Sequence, residues 1–354
     1  MRSLVLVSPF FVPHIGGMER ALHRIMIALK RRHWDVSVYT SHHTPQYDDQ
    51  VPVKRACSTL SEWADSIPAH IRAVDPDRTA VLFASFGPGT GEQQLLAGSE
   101  FRERGGLTVW RTPTADHARR NISGQPLQLR RAIDRVVANS RSSQAMTQEI
   151  VPEVPVSVIP NLLLEEEVAQ HDEDLISPRS ADIAWAGRIE PRKQPGLLVE
   201  ALNLAVRIGK NVVAQPVPSH GNTNLYEQFC GALDKRVETL KPTDGMHRNV
   251  ARASVFLHIS SREGSPNSVL EAASRGQKIL VSDIPECREL LTGLEAAAWL
   301  HAPRDFEDAF ARLLARPDSI SARRSEASLI RRRHSEAVIT ESWHRILTPG
   351  GTIG

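Results

Sequence analysis

The sequence predicts an α/β protein built from two doubly wound domains, each a parallel sheet with helices packed on it. Three observations point there. The 354 residues exceed one ordinary core and suit two of about 150 to 180 residues each. Short apolar runs alternate with amphipathic stretches along the whole chain, as repeated strand-helix units require. Between residues 163 and 182 the composition turns acidic and irregular, and the alternation then restarts. A hydrophobic content of 41% with 24% charged residues fits a folded globular chain and excludes a disordered or fibrous one.

In chain order, Leu4 to Val7 reads as a buried strand. The loop Pro9 to Gly17 follows, then a helical pattern with Ala21, Leu22, Ile25, Ala28 and Leu29 on one face, then the strand Trp34 to Thr40. The loop of that unit lies at the carboxyl end of a strand, where open α/β sheets hold ligands. Further strands are predicted at Ala80 to Ser85, Leu107 to Arg111, Arg135 to Ala138 and Val156 to Ile159. Beyond the acidic stretch, strands are predicted at Ile183 to Ala186, Val212 to Ala214, Ser254 to Ile259 and Lys278 to Ser282. Helices are predicted over Gly196 to Ile208, from Pro266 to Arg275, and through most of the chain after Asp305. Two such sheets facing one another would leave a cleft, a favoured ligand site.

A net charge of +2, from 43 basic against 41 acidic residues, provides no field to gather nucleic acid. Cys57, Cys230 and Cys287 are too scattered for a disulfide framework or a metal-ligand spacing, which fits a reducing cytoplasm. The N-terminal apolar run is too short to span a membrane and lacks a small-residue cleavage site, so no targeting or spanning segment is expected.

Two segments carry the chemistry. In the first, Ser260 to Ala272, Ser265 is a suitable N-cap and Pro266 suits the first helical position, so a helix N-terminus opens directly after a strand. Backbone N–H groups from Gly264 through Ser265, Pro266 and Asn267 to Ser268 would surround an anion at the positive end of that helix, proline itself contributing none. Glu263 and Glu271 bracket the turn, and a carboxylate accepts hydrogen bonds from vicinal hydroxyls, so the pair could hold two sugars. An ordinary capped helix with acidic residues near its start would look the same. In the second segment, Ala184 to Pro195, a strand runs into Gly187 and then into Arg188 and Lys193. Those cations can reach one diphosphate from a single loop, arginine as a fork and lysine as a point charge.

The combination of Gly16-Gly17 after the first strand, Gly187-Arg188 with Lys193 after the first strand of the second half, and Glu263 spaced from Glu271 resembles glycosyltransferase family 4. Ile159-Pro160-Asn161 stands where that family has its domain junction. The resemblance implies the GT-B fold, two Rossmann-like domains facing across a cleft, and retaining transfer from a nucleotide sugar. It divides the chain into an N-terminal acceptor domain (residues 1–165), a linker (166–181), a C-terminal nucleotide-sugar domain (182–330) and a last helix crossing back to the first domain (331–354).

By the same resemblance Arg188 and Lys193 bind the donor diphosphate and stabilise the leaving group. Glu263, with the backbone of Gly264, Ser265, Pro266 and Asn267, holds the donor sugar, and Glu271 holds the ribose. Gly16 and Gly17 let the backbone approach phosphates or acceptor. The donor is expected to be UDP- or GDP-linked, with no metal and no cofactor, and the acceptor a small molecule, natural product or saccharide. Nucleic acid is not an expected partner.

The chain departs from the family in two places. The second strand of the C-terminal half runs into Gln215-Pro216-Val217-Pro218 with no glycine before Gly221, which leaves the base open. Where many members end an N-terminal strand in histidine, this one continues through Thr112 to His117. His117 and His14 are the acceptor-side candidates. Arginines interleaved with apolar residues over 20–33 and 117–135 suit either an ordinary amphipathic helix or a membrane-surface face. The latter keeps open a peripheral-membrane enzyme acting on a lipid-linked saccharide at the inner face of the membrane. A GT-B-like sugar-nucleotide epimerase and a non-catalytic nucleotide-sugar binder are the remaining alternatives.

Overall fold

The computed structural model describes residues 2–12, 16–41, 51–55, 59–84, 90–112, 126–219, 223–243, 245–302 and 305–351. The chain forms two compact units, Met1–Leu162 with Glu336–Gly354, and Leu163–Ser335.

The first unit is built on a seven-stranded sheet of order β3-β2-β1-β4-β5-β6-β7. Its strands are β1 (Ser3–Val7), β2 (Asp35–Thr40), β3 (Val53–Arg55), β4 (Thr79–Phe83), β5 (Leu107–Thr112), β6 (Arg135–Ala138) and β7 (Val156–Val158). All pairings are parallel, and the register sets Val7 level with Tyr39 and Phe83, and Phe83 level with Trp110. The carboxyl ends of β1, β2, β4 and β5 therefore share one edge. Trp63 and Ile67 from one helix, Phe101 from a second and Ile133 just past the end of a third pack with Val5, Val7, Phe83 and Trp110 on one face. Leu4, Leu6, Val36 and Val38 alternate to the other face and are equally buried.

The helix Gly17–Arg31 buries Ala21, Leu22, Ile25, Ala28 and Leu29, the face that the sequence pattern picks out. Against it lies the last helix, Glu336–Ile346, which buries Ile339, Trp343 and Ile346. The Trp34 indole donates to His344 Nδ1 at 3.1 Å, and Arg135 donates to the carbonyl oxygens of Ile346 and Thr348 at 2.5 and 3.0 Å.

The second unit carries a six-stranded parallel sheet of order β10-β9-β8-β11-β12-β13. Its strands are β8 (Ala181–Arg188), β9 (Val212–Val217), β10 (Glu238–Thr239), β11 (Ala253–His258), β12 (Lys278–Ser282) and β13 (Ala297–Leu300). Trp185, Leu198, Leu202, Phe229, Phe306 and Phe310 fill one face, and Phe256, Leu270, Ile279, Leu290 and Ile330 the other. The chain enters and leaves this unit side by side, with the Leu163 N–H donating to the His334 carbonyl at 2.9 Å.

Two expectations need correction. The acidic stretch read as a linker, 166–181, holds most of the helix Glu165–Ile176. Its acids favour a helix: Glu165, Glu166 and Glu167 sit in the first turn, against the positive end of the dipole, and Glu167 accepts from the Leu164 N–H at 3.0 Å. The helix is tied to the second unit by Asp174, which accepts from Arg252 Nε at 3.2 Å and Arg275 Nε at 3.1 Å. The helix after β11 also starts one residue later than expected. It spans Asn267–Ser274, with Pro266 rather than Ser265 at the N-cap position and no side-chain cap. No helix among the described residues is long and apolar enough to cross a membrane.

Candidate functional site

Strands β8 and β11 are parallel neighbours, so the loops leaving their carboxyl ends meet. The first loop passes through a single 3-10 turn, Pro191–Lys193, and Gln194, left-handed at φ 48°, turns the chain into the helix Pro195–Arg207. The second runs from Ile259 to Pro266. They are stitched by the Ser261 N–H and the Ser260 hydroxyl, both donating to the Arg192 carbonyl at 2.8 and 3.2 Å. Ser282 at the end of β12 accepts from the Ser260 N–H at 3.0 Å and fixes the second loop from its other side.

Between the loops lies a buried ionic cluster. Lys193 Nζ donates to Glu263 Oε1 at 2.5 Å and Arg192 Nη1 to Glu263 Oε2 at 2.7 Å. His258, the last residue of β11, brings Nε2 to 3.2 Å from Glu263 Oε1 and 3.4 Å from Lys193 Nζ. Arg192 Nε donates to Glu190 at 2.6 Å, and Arg188 stands 3.6 Å from the same carboxylate. Lys193 and Glu263 are 8% and 6% exposed and His258 is fully buried, so these charges interact with little screening.

Burial by itself would raise the Glu263 carboxyl, but Lys193, the His258 hydrogen bond and Arg192 outweigh it and hold it well below the usual range. Glu263 is therefore ionised. Burial lowers the Lys193 ammonium, an effect that Glu263 partly offsets. Burial and then Lys193 push His258 down to about 4, so the imidazole is neutral at pH 7. Arg192 moves up despite its burial, because Glu263 and Glu190 both favour its charge.

Of the residues the sequence singles out, the structure brings Lys193 and Glu263 into direct contact. Arg188 joins them by way of Glu190. Glu263, expected against a donor sugar, has its oxygens engaged by Lys193, Arg192 and His258. Glu271 is 4% exposed on the helix Asn267–Ser274 and favours the charge of Arg275. Gly187 lies within β8, where an added Cβ would meet the Trp185 ring at 3.3 Å. Gly16 and Gly17 open the helix Gly17–Arg31 in the first unit, Gly16 in an extended conformation that any residue adopts. His14 and His117 lie outside the described residues.

Three contributors went unread in the sequence. Arg192 is half of an Arg-Lys pair of which the sequence pattern singles out only the lysine. His258 closes an apolar run, and a polar residue at the carboxyl end of a buried strand was the available signal. Gln215, buried in β9, donates to the Thr243 hydroxyl at 2.7 Å and the Gly245 carbonyl at 3.0 Å and accepts from the His247 N–H at 2.8 Å. It thereby shapes the loop after β10 without the glycine expected after β9. Among the described residues no cluster of three or more histidine, cysteine, aspartate or glutamate side chains could hold a metal ion.

Residues 180–316 match the family model described as Glycosyl transferases group 1. No curated protein matches the sequence. Solved structures do match over nearly the full length. Anabaena HepE in complex with UDP and glucose is 14% identical, with 97% of this chain and 98% of that one covered and a TM-score of 0.73. Sucrose-phosphate synthase from Thermosynechococcus elongatus is 15% identical, with 98% of each chain covered and a TM-score of 0.74. A variant of S. aureus TarM, in complex with fondaparinux, alpha-GlcNAc-glycerol and UDP, is 9% identical, with 98% and 100% covered and a TM-score of 0.76. The fold is that of the GT-B glycosyltransferases.

Proposed function

We propose that the chain is a retaining glycosyltransferase that moves a sugar from a UDP-linked donor to a hydroxyl, or another nucleophile, of a small-molecule acceptor. The observation that carries this reading is the buried Lys193–Glu263–Arg192 cluster, set at the carboxyl ends of β8 and β11 just ahead of the helix that begins at Asn267. Structures of HepE and TarM that contain UDP support uridine as the base.

Cleaving a sugar from a diphosphate builds negative charge on the leaving phosphate and positive charge on the anomeric carbon. Arg188, Arg192 and Lys193 gather around Glu190 and Glu263. These cations, with the N–H groups opening the helix at Asn267, favour the transition state over the ground state. No metal ion is assigned to the leaving group in this reading. Glu263 holds Lys193 and Arg192 in place before the donor arrives, so little reorganisation is needed during reaction. A carboxylate has about four acceptor sites, so the Glu263 oxygens can also accept from donor-sugar hydroxyls with the cations in place. Glu271 is assigned to the ribose. The acceptor attacks on the face from which the nucleotide leaves, and the departing phosphate takes its proton, so no protein nucleophile is required.

The test is UDP release from UDP-sugars with a panel of acceptors, and the anomeric configuration of the product by proton NMR. Transfer with retained configuration is expected. An inverted product contradicts the mechanism, and no transfer with any donor contradicts the activity.

A further inference from the structure

The first unit contains a buried cation that the donor site does not use. Arg111, the penultimate residue of β5, is 1% exposed. Its Nη2 donates to Asn161 Oδ1 at 2.7 Å, whereas Nε and Nη1 have no hydrogen-bond partner among the described residues. A guanidinium has five N–H donors, and leaving them unmet in the interior is destabilising. Burial alone lowers its pKa, to about 10, and no carboxylate among the described residues acts on it. Arg111 therefore stays charged at neutral pH, with no counterion among the described residues. An apolar side chain of similar size would serve the fold as well or better.

The position of Arg111 favours a ligand. Trp110 points into the core with Trp63 and Phe101, so alternation along β5 turns Arg111 to the opposite face of the sheet. The helix Gly17–Arg31 lies on that face, as a right-handed crossover from β1 to β2 requires when the Trp63 and Phe101 helices occupy the other. This 15-residue helix starts at the sheet edge where β5 ends, and Gly16 at its N-cap makes no side-chain cap bond. The positive end of a helix dipole and a buried guanidinium thus occupy one face and one edge of the sheet. The planar fork of arginine matches the two oxygens of a carboxylate or phosphate.

We infer that Arg111, steadied by Asn161, binds an oxyanion of the acceptor, so that the acceptor is a carboxylic acid or a phosphate ester rather than a neutral polyol. This rests on the glycosyl-transfer reading and adds the acceptor's chemical class. The same chemistry could come from the donor diphosphate, and the test separates the two sources.

Thermal melts of the wild type, Arg111→Met and Lys193→Ala are compared with inorganic phosphate and, separately, with UDP. Phosphate is expected to raise the midpoints of the wild type and Lys193→Ala by about 2 °C or more at saturation and to leave Arg111→Met unmoved. UDP should still stabilise Arg111→Met. Without ligand, Arg111→Met should melt at or above the wild type, and Arg111→Lys should bind phosphate at least ~10-fold more weakly. A phosphate shift that persists in Arg111→Met, that is absent from the wild type, or that disappears in Lys193→Ala instead overturns the inference. So does an Arg111→Met midpoint far below the wild type, which would mark a structural arginine. A failure of UDP on all three proteins, with phosphate behaving as expected, would contradict the glycosyl-transfer reading and leave the anion site standing.

Discussion

Lys193 and Glu263 are each suited to the site only because the other is there. A buried ammonium or carboxylate alone would lose its charge, and together with Arg192 both are held in place. Lys193→Ala should cost about 10²- to 10³-fold in kcat, the usual effect of losing one preorganised donor. Glu263 keeps Arg192 and His258 in that variant, so its circular dichroism should match the wild type. His258 makes a separate prediction about pH. Its pKa is about 4 in the fold against an ordinary 6.5, because burial and Lys193 disfavour the charged form. Below pH 6.5 the unfolded chain gains a proton that the folded chain refuses, so stability falls as pH drops toward 4. Between pH 7 and pH 5 this amounts to about 2 kcal/mol. Urea titrations of the wild type and His258→Asn at both pH values would measure it, and equal losses in the two proteins would contradict the assignment.

At the scale of elements, the helix Glu165–Ile176 shows where patterning misleads. Acid-rich and flanked by Pro178, it looks like a solvated connector, yet Asp174 compensates two arginines, of which Arg275 is 7% exposed. Asp174→Ala should destabilise the second unit by about 1–3 kcal/mol, since it leaves a buried guanidinium short of its counterion. A shift in the denaturation midpoint would show it. Gly276 ends the helix Asn267–Ser274 in the left-handed region at φ 65°, with a Cβ position 2.7 Å from Arg323 backbone and side-chain atoms. Gly276→Ala should therefore cost about 1–3 kcal/mol or more through strain and overlap together, and an unchanged midpoint would refute the packing described.

For the whole molecule, the strands were legible because parallel strands buried on both faces are continuous apolar runs, as in Leu4–Val7 and Val255–Leu257. Strands with little apolar content were not: β3 (Val53–Arg55) holds one apolar residue and β10 (Glu238–Thr239) none, whereas the equally short edge strand β7 was legible. Of the candidate cluster, Lys193 and Glu263 were legible by residue type. Their direct pairing was not, because it depends on the adjacency of β8 and β11, which no local pattern encodes. The last helix illustrates the same non-local logic. Its sequence gives an amphipathic segment, while its place beside Gly17–Arg31 rests on Trp343, Ile346 and the Trp34–His344 bond. Truncation after Ser335 should expose that apolar face and lower the midpoint of the first unit. A truncated chain as stable as the full one would show the helix to be dispensable.

The central claim is that the Lys193–Glu263–Arg192 cluster binds the diphosphate of a nucleotide-sugar donor. Calorimetric titration with UDP, GDP, ADP, TDP and CDP, on the wild type and on Lys193→Ala, tests it most directly. The account predicts selective binding of UDP, weakened at least ~10-fold in the variant by loss of a charge-assisted contact. Binding of none of the five, or binding of UDP with equal affinity by both proteins, would contradict it.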